Sequence, residues 1–242
     1  GNEAPQGIII EGLKKLEYRG YDSAGIAVVN DGKIKLRKHV GEIVNLEKLI
    51  GNENLGGHVG IGHTRWATHG APSDVNSHPH MSNDNRIALV HNGTVENYVE
   101  IREQLEKEGF TFKSDTDSEV AAVLFGKYYN ELGDLKATMD KVTHEMTGTF
   151  ALAAIAEDQP EKFVAYRKNA PLIVGKGNGC NFVASDFSAL LKYTKDVYLL
   201  ETGDTVVLTP DNVTIYDESG KEIKRETMHI SWDESVAEKG KY

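Results

Sequence analysis

The spacing of apolar residues predicts a helix at the start of the chain, followed by a strand hairpin. Apolar side chains recur at helical spacing across residues 9–16, and Pro5 suits the first turn, where its missing N–H does no harm. Residues 24–29 and 34–38 have the composition of strands, and Asn-Asp-Gly at 30–32 is a strong turn signal between them. A hairpin packed beside a helix is therefore expected.

The middle of the chain combines two buried strands with a long polar connection. Residues 59–63 and 87–91 are predicted strands, and residues 64–85 between them are rich in Pro, Gly, Ser, Asn and Asp. A connection this long within a compact domain usually serves a function. Three helical stripes follow, formed by Tyr98, Ile101 and Leu105, by Val120 and Leu124, and by Leu135, Met139, Val142 and Met146.

From residue 149 onward the hydrophobic period changes from helical spacing to two. Short strands are predicted at 149–156, 162–167, 172–175, 182–184, 197–200, 205–208 and 213–216. Asp186 is expected to cap a brief helix at 187–192. Strands and helices mix without regular βαβ alternation, which favours an α+β fold with layered sheets.

Composition narrows the class of protein further. The chain has 242 residues, of which 39% are hydrophobic and 26% charged, as in an ordinary globular domain. A formal net charge of −10 argues against nucleic acid or an anionic membrane as a partner. No apolar run approaches the roughly 20 residues of a membrane-spanning helix. The single cysteine excludes an internal disulfide and fits a cytoplasmic location.

Residues 63–70, with the sequence HTRWATHG, form the first candidate for binding chemistry. Each residue alone fits a strand end with a surface tryptophan, but together they place several polar groups at the exit of a strand. Arg65 is notable because a guanidinium can hold a carboxylate through two parallel hydrogen bonds.

Two further segments each allow a structural and a functional interpretation. Asn92-Gly93 after a strand is typical of a turn, but a side-chain amide and a neighbouring backbone N–H can also stabilise an oxyanion. Residues 115–119 (DTDSE) supply N-cap chemistry for a helix, while Asp117 could instead face a substrate ammonium. One acid of this segment could cap the helix while the other binds the substrate ammonium.

Rival chemistries have weaker support. His78 and His80 could place two imidazoles on one side of a strand, but no third ligand stands at a recognisable metal-site spacing, so no metal is expected. The glycine-rich residues 175–179 fit a hairpin loop better than a phosphate loop. Cys180 has no adjacent base in the sequence, so a structural role is favoured over a nucleophilic one.

Taken in order, these segments resemble the class II glutamine amidotransferases, which are N-terminal-nucleophile hydrolases. Residues 17–25 (EYRGYDSAG), 63–70, His78-Pro79-His80, His91-Asn92-Gly93 and Thr116-Asp117 carry the resemblance, which covers nearly the whole chain. The resemblance implies a four-layer αββα sandwich with mostly antiparallel sheets. The resemblance to the branch that makes amino sugars is closer than the resemblance to the glutaminases that serve phosphoribosylamine, asparagine or glutamate synthesis.

The resemblance also implies a role for each site residue. Arg65 is expected to pair with the α-carboxylate of glutamine and Asp117 with its α-ammonium. Asn92, through its amide, and Gly93, through its N–H, are expected to form the oxyanion hole. The other expected roles are loop contacts to the substrate by Thr68 and His69, gating of ammonia passage by Trp66, and support near the nucleophile by Arg19.

The activity implied is hydrolysis of L-glutamine to glutamate and ammonia, without a cofactor. Ammonia would then convert fructose 6-phosphate into glucosamine 6-phosphate. Residues 1–230 are expected to be the glutaminase domain without its first strand and its amino-terminal cysteine, so the chain by itself should be inactive. Residues 231–242 should begin a linker to a sugar-isomerase domain, in a protein that is a homodimer at full length. The alternative is a module that binds glutamine or glutamate without hydrolysing it.

Overall fold

The computed structural model describes residues 1–67 and 70–231, which form five α-helices and fourteen strands. The helices are α1 Pro5–Lys15, α2 Ile43–Ile50, α3 Tyr98–Lys107, α4 Asp117–Leu132 and α5 Leu135–Glu145. The strands are β1 Ser23–Asn30, β2 Lys33–Val40, β3 Val59–Arg65, β4 His80–Met81, β5 Ile87–Val95, β6 Gly148–Ala156, β7 Phe163–Lys168, β8 Ile173–Lys176, β9 Asn181–Ala184, β10 Asp196–Leu199, β11 Thr205–Leu208, β12 Val213–Tyr216, β13 Glu222–Ile223 and β14 Met228–His229. Each described helix is too short or too polar to span a bilayer.

The described strands form three sheets, and all of their pairings are antiparallel. The sheet orders are β2-β1-β3, β14-β10-β8-β9 and β13-β12-β11-β7-β6-β5-β4. β1 and β2 pair from Ser23 opposite Val40 to Asn30 opposite Lys33, which confirms the predicted hairpin. β5 pairs with β6 along its whole length. β1 also pairs with β3, from Ser23 opposite Arg65 to Val29 opposite Val59. The pairings of β3 and β5 fix the positions of the two strands that carry predicted site residues.

Three apolar layers separate four layers of secondary structure. Helices α3, α4 and α5 pack on one face of the seven-stranded sheet. The opposite face of that sheet packs on the sheet of β1, β2 and β3, and helices α1 and α2 cover its far side. On β1, Ile26 and Val28 face the helices while Ala27 and Val29 face the other sheet, which explains a strand that is apolar on both faces. The predicted α+β fold with antiparallel sheets is therefore confirmed.

Differences from the sequence predictions are local. The prediction of a helix at 187–192 was wrong, because only the single 3₁₀ turn Phe187–Ala189 forms there. Its predicted cap is present, since Asp186 Oδ1 accepts a hydrogen bond from the Ser188 N–H at 2.9 Å. β4, β13 and β14 were missed because strands of two residues carry no readable period.

Candidate functional site

One pocket lies where the ends of β3 and β5 meet the start of α4. Its volume is about 290 Å³. Six of the predicted site residues line it, namely Arg19, Arg65, Trp66, Asn92, Gly93 and Asp117. Because β3 and β5 belong to different sheets, the pocket opens at the junction between the two sheets. Residues distant in sequence thus surround a common hollow.

Arg65 supplies a buried cation as the last residue of β3. Its side chain is only 4% exposed, and its guanidinium donates hydrogen bonds to the carbonyl oxygens of Gly70 at 3.0 Å and Ala71 at 3.4 Å. Burial lowers the pKa of Arg65, while the carboxylates of Asp22 and Asp117 act in the opposite direction. The arginine remains charged at neutral pH because its ordinary pKa is far higher.

Asp117 supplies the matching anion as the first residue of α4. It is 3% exposed, and its Oδ2 accepts a hydrogen bond from the Val95 N–H at 2.9 Å. The positive end of the helix dipole favours a carboxylate at this position. The expectation that an acid caps this helix was wrong, because Thr116 is the N-cap and its hydroxyl accepts from the Glu119 N–H at 3.1 Å. Asp117 is therefore not used as a cap.

Asn92 and Gly93 lie inside β5, so the interpretation of this pair as a turn was wrong. They pair with Ala151 and Phe150 of β6. Gly93 has φ of +110°, and a Cβ there would lie 2.1 Å from the Thr149 carbonyl oxygen. Only glycine fits this conformation and this close approach. Asn92 and Gly93 both line the pocket.

Two hydrogen bonds tie β5 to the first turn of α4. Besides the contact between Val95 and Asp117, His91 Nδ1 lies 2.7 Å from the Ser118 hydroxyl. These two contacts flank Asn92 and Gly93 along the strand. The anion and the amide pair are consequently held in a fixed relation to each other.

The remaining predicted residues line the edge of the pocket or lie outside the described residues. Trp66 is 68% exposed, and its ring lies against Gly20. Arg19 ends the 3₁₀ turn Glu17–Arg19 and lines the pocket. Thr68 and His69, expected to contact substrate, lie outside the described residues. Sequence reasoning gave no individual role to three other lining residues, Thr64, Ser118 and Ser185, although the first two lie within the segments 63–70 and 115–119.

A second cavity of about 200 Å³ adjoins the pocket and shares Asn92 with it. Its lining is mainly apolar and includes Cys180, in the hairpin loop between β8 and β9. Burial raises the pKa of the Cys180 thiol, which opposes formation of a nucleophilic thiolate. Cys180 does not line the pocket of Arg65 and Asp117. Across residues 1–67 and 70–231, no group of three or more His, Cys, Asp or Glu side chains is arranged to hold a metal ion.

Lys38 of β2 is a partly buried cation behind the site, and sequence reasoning missed it. Its ammonium donates to the carbonyl oxygens of Ser77 at 2.7 Å, Pro79 at 3.3 Å and Val75 at 3.4 Å. One side chain thus anchors the segment 75–79, which carries His78 to the back of the pocket. The sequence of a strand does not show whether one of its lysines is partly buried or exposed.

The titration of Lys38 is expected to make stability rise between about pH 8 and pH 10.5. Burial lowers the pKa of Lys38 from 10.5 to about 8. Over that interval the unfolded chain binds more protons than the folded chain, so the free energy of unfolding increases with pH. The shift corresponds to on the order of 3 kcal/mol.

Denaturant unfolding at pH 7 and pH 10 measures this effect. The gain on going to pH 10 should be larger in the unsubstituted chain than in Lys38→Met. Lys33→Met, at an exposed position on the same strand, is the matched control and should keep the full gain. An equal gain in all three proteins would contradict the assignment.

Comparison with solved structures gives the class to which this fold belongs. The chain superposes on the glutamine phosphoribosylpyrophosphate amidotransferase of B. subtilis with a TM-score of 0.73 and 27% sequence identity, covering 91% of this chain and 48% of the other. The layered antiparallel sheets are those of an amidotransferase of the N-terminal-nucleophile type.

Sequence comparison then identifies the family. Residues 51–219 match the family described as "Glutamine amidotransferase domain", and the chain belongs to that family. It is 52% identical over 242 residues to a protein of Clostridium perfringens named glutamine–fructose-6-phosphate aminotransferase (isomerizing). It is 49% identical over 251 aligned residues to a protein of the same name from Methanosarcina acetivorans. Each alignment covers 100% of this chain, which spans only 39% and 40% of those relatives' lengths.

Proposed function

We propose that this chain is a glutaminase unit that hydrolyses L-glutamine to glutamate and ammonia. The observation that carries the proposal is the shared pocket of Arg65, Asp117, Asn92 and Gly93. Glutamine presents a carboxylate, an ammonium and a distant carboxamide. The pocket presents a cation, an anion and an amide pair, which is the complementary set.

In the proposed reaction, Arg65 and Asp117 hold the amino-acid head group and orient the carboxamide. The thiolate of the amino-terminal cysteine that the resemblance implies attacks the carboxamide carbon, and the carbonyl electrons move onto oxygen. The Asn92 amide and the Gly93 N–H stabilise that oxyanion. The α-amine of that cysteine, which took up the thiol proton, returns it to the departing nitrogen as the oxyanion collapses and the C–N bond breaks, so that ammonia leaves. Water then cleaves the thioester to release glutamate and the thiol.

We also propose that the ammonia is delivered to fructose 6-phosphate to form glucosamine 6-phosphate, by a sugar-isomerase domain in the same polypeptide. The names of the two relatives described above support this choice of acceptor. Residues 1–230 would be the glutaminase domain and residues 231–242 the start of a linker, most of which lies outside the described residues. The homodimeric state and the cytoplasmic location stay predictions.

Binding of glutamine to this chain tests the head-group assignment directly. Arg65→Lys is expected to weaken binding by roughly 10- to 100-fold, the value of one or two lost hydrogen bonds to a charged group. An ammonium has no planar fork with which to hold a carboxylate at two points. Isothermal titration calorimetry with L-glutamine measures the change.

The control for this substitution is Arg37→Lys. Arg37 forms an ion pair with Glu53 at 2.5 Å on the surface, away from the pocket, so its replacement should leave the affinity unchanged. An unchanged affinity in Arg65→Lys would remove Arg65 from the proposed site. Binding without turnover in a protein that carries the amino-terminal cysteine would favour a binding module instead.

A further inference from the structure

A partly buried histidine lies beside the amide that the proposed reaction uses. His63 Nε2 is 2.6 Å from Asn92 Oδ1, within hydrogen-bond distance. His63 belongs to β3 and Asn92 to β5, so this contact crosses from one sheet to the other. The His63 ring has no role in the head-group contacts or in the reaction steps described above.

The protonation state of His63 determines what this contact can do. Burial lowers the pKa of His63 to about 4, with the hydrogen bond to Asn92 acting in the opposite direction. The ring is therefore neutral at physiological pH and carries one proton. Among the described residues, Nδ1 of His63 is buried and makes no hydrogen bond of ordinary geometry, although the backbone of His91 also acts to raise the pKa of the ring. A proton on Nδ1 would create a buried orphan donor, whereas a proton on Nε2 is used by Asn92.

The geometry points to His63 as a positioning residue for the oxyanion site. By donating from Nε2 to Asn92 Oδ1, it fixes the amide oxygen against β3 and leaves the amide N–H groups on the side that faces the pocket. With the opposite tautomer, Nε2 would accept a hydrogen bond and the amide would turn its oxygen toward the substrate. This inference rests on the proposed function, because amide orientation matters only if Asn92 donates to a substrate oxygen.

His78 holds the His63 ring in place from the other side. The two rings are stacked with centroids 4.1 Å apart and an interplanar angle of 15°. Burial keeps the pKa of His78 well below its ordinary value, so two neutral rings are in contact and no charge repulsion opposes the stack. A stacked partner restricts rotation of the His63 ring and so maintains the direction of Nε2.

The backbone around His78 is itself fixed to the sheet of β1, β2 and β3. Besides the Lys38 contacts to residues 75–79, the carbonyl of His78 lies against Gly25 of β1, where an added Cβ would be 1.9 Å from that oxygen. The absence of a side chain at Gly25 thus lets the segment approach the strand. The contacts form a continuous chain from Lys38 through His78 and His63 to Asn92.

Steady-state kinetics in a glutamine-hydrolysing form of the protein, carrying the amino-terminal cysteine, test the inference. His63→Leu removes the donor while keeping an apolar group of similar bulk. We expect kcat to fall roughly 10- to 100-fold, with KM changed by less than about twofold because Arg65 and Asp117 remain. His63→Gln retains an N–H donor and should recover part of kcat, which a general loss of packing would not allow.

A double-substitution cycle separates positioning from nonspecific destabilisation. His63→Leu made in an Asn92→Ala background should lower kcat by less than about twofold further, because its effect acts through Asn92. Leu46→Ala, a buried position between α2 and the sheet of β1, β2 and β3, is the matched destabilising control. Its effect on kcat should be small and additive. A His63→Leu effect that is fully additive with Asn92→Ala would overturn the inference.

Nitrogen-15 NMR of the histidine rings in this chain gives a readout that does not depend on activity. The expected result is a neutral His63 with its proton on Nε2 at pH 7, and a proton on Nδ1 would overturn the inference. If Asn92→Ala does not lower turnover, the proposed oxyanion role fails. If Asn92→Ala lowers turnover and His63→Leu does not, only the role of His63 fails.

Discussion

Replacing Asn92 with alanine is expected to lower the kcat for glutamine hydrolysis by about 10²–10³-fold, the usual effect of removing one oxyanion donor. Asn92 lines the pocket from β5, and its amide adjoins the backbone of Gly93. In the proposed mechanism, the amide stabilises charge that develops only as the carboxamide carbon is attacked. The loss should therefore appear in kcat, while KM changes little.

Glutaminase assays of the full-length protein measure this effect. Thr94→Ala is the matched control, since Thr94 lies on the same strand and lines neither of the two cavities described above. It should retain most of the activity. Turnover in Asn92→Ala within about twofold of the unsubstituted protein would exclude Asn92 from the oxyanion site.

Asp117→Asn is expected to weaken glutamine binding by roughly 100-fold or more, as removal of one member of a buried charge pair does in other complexes. Asparagine keeps the shape of the side chain and an acceptor for the Val95 N–H, which donates to Asp117 Oδ2 at 2.9 Å in the unsubstituted chain. What it loses is the negative charge that is proposed to face the substrate ammonium. Arg65 would also lose a nearby counter-charge.

Calorimetric titration of this chain with L-glutamine measures the Asp117 effect. Asp115→Asn removes the same charge two residues earlier at an exposed position, which makes it a close control for net charge. Binding should be unaffected in Asp115→Asn. If both substitutions weaken binding equally, the effect is long-range electrostatics and Asp117 has no specific contact with the substrate.

Much of the fold could be predicted because its elements have clear periods. Helices α1 to α5 each have an apolar stripe, and the turn between β1 and β2 has a strong local signature. Alternation along β1 could not show which faces were covered, since the strand is buried on both sides. The packing of two sheets face to face depends on contacts between distant segments, which one sequence does not display.

The pocket was predictable only residue by residue. Arg65 and Asp117 stood out by charge next to apolar segments, and the structure brings them to one pocket. Asn92-Gly93 was ambiguous, because the same dipeptide serves a turn or, as here, an irregular position within a strand. The roles of Lys38 and His63 follow only from their contacts with residues of other elements, which the sequence does not show.

The crossing contact between His63 and Asn92 has a consequence for partly folded states of the chain. Arg65 is carried by one sheet and Asn92 by the other, so the arrangement exists only while the two apolar faces stay in register. Sliding one sheet past its neighbour by a single residue step, about 3.3 Å, would separate Arg65 and His63 from Asn92 while leaving each sheet intact. Catalytic competence would then be lost in a compact state whose sheets keep their backbone hydrogen bonds, well before the secondary structure melts.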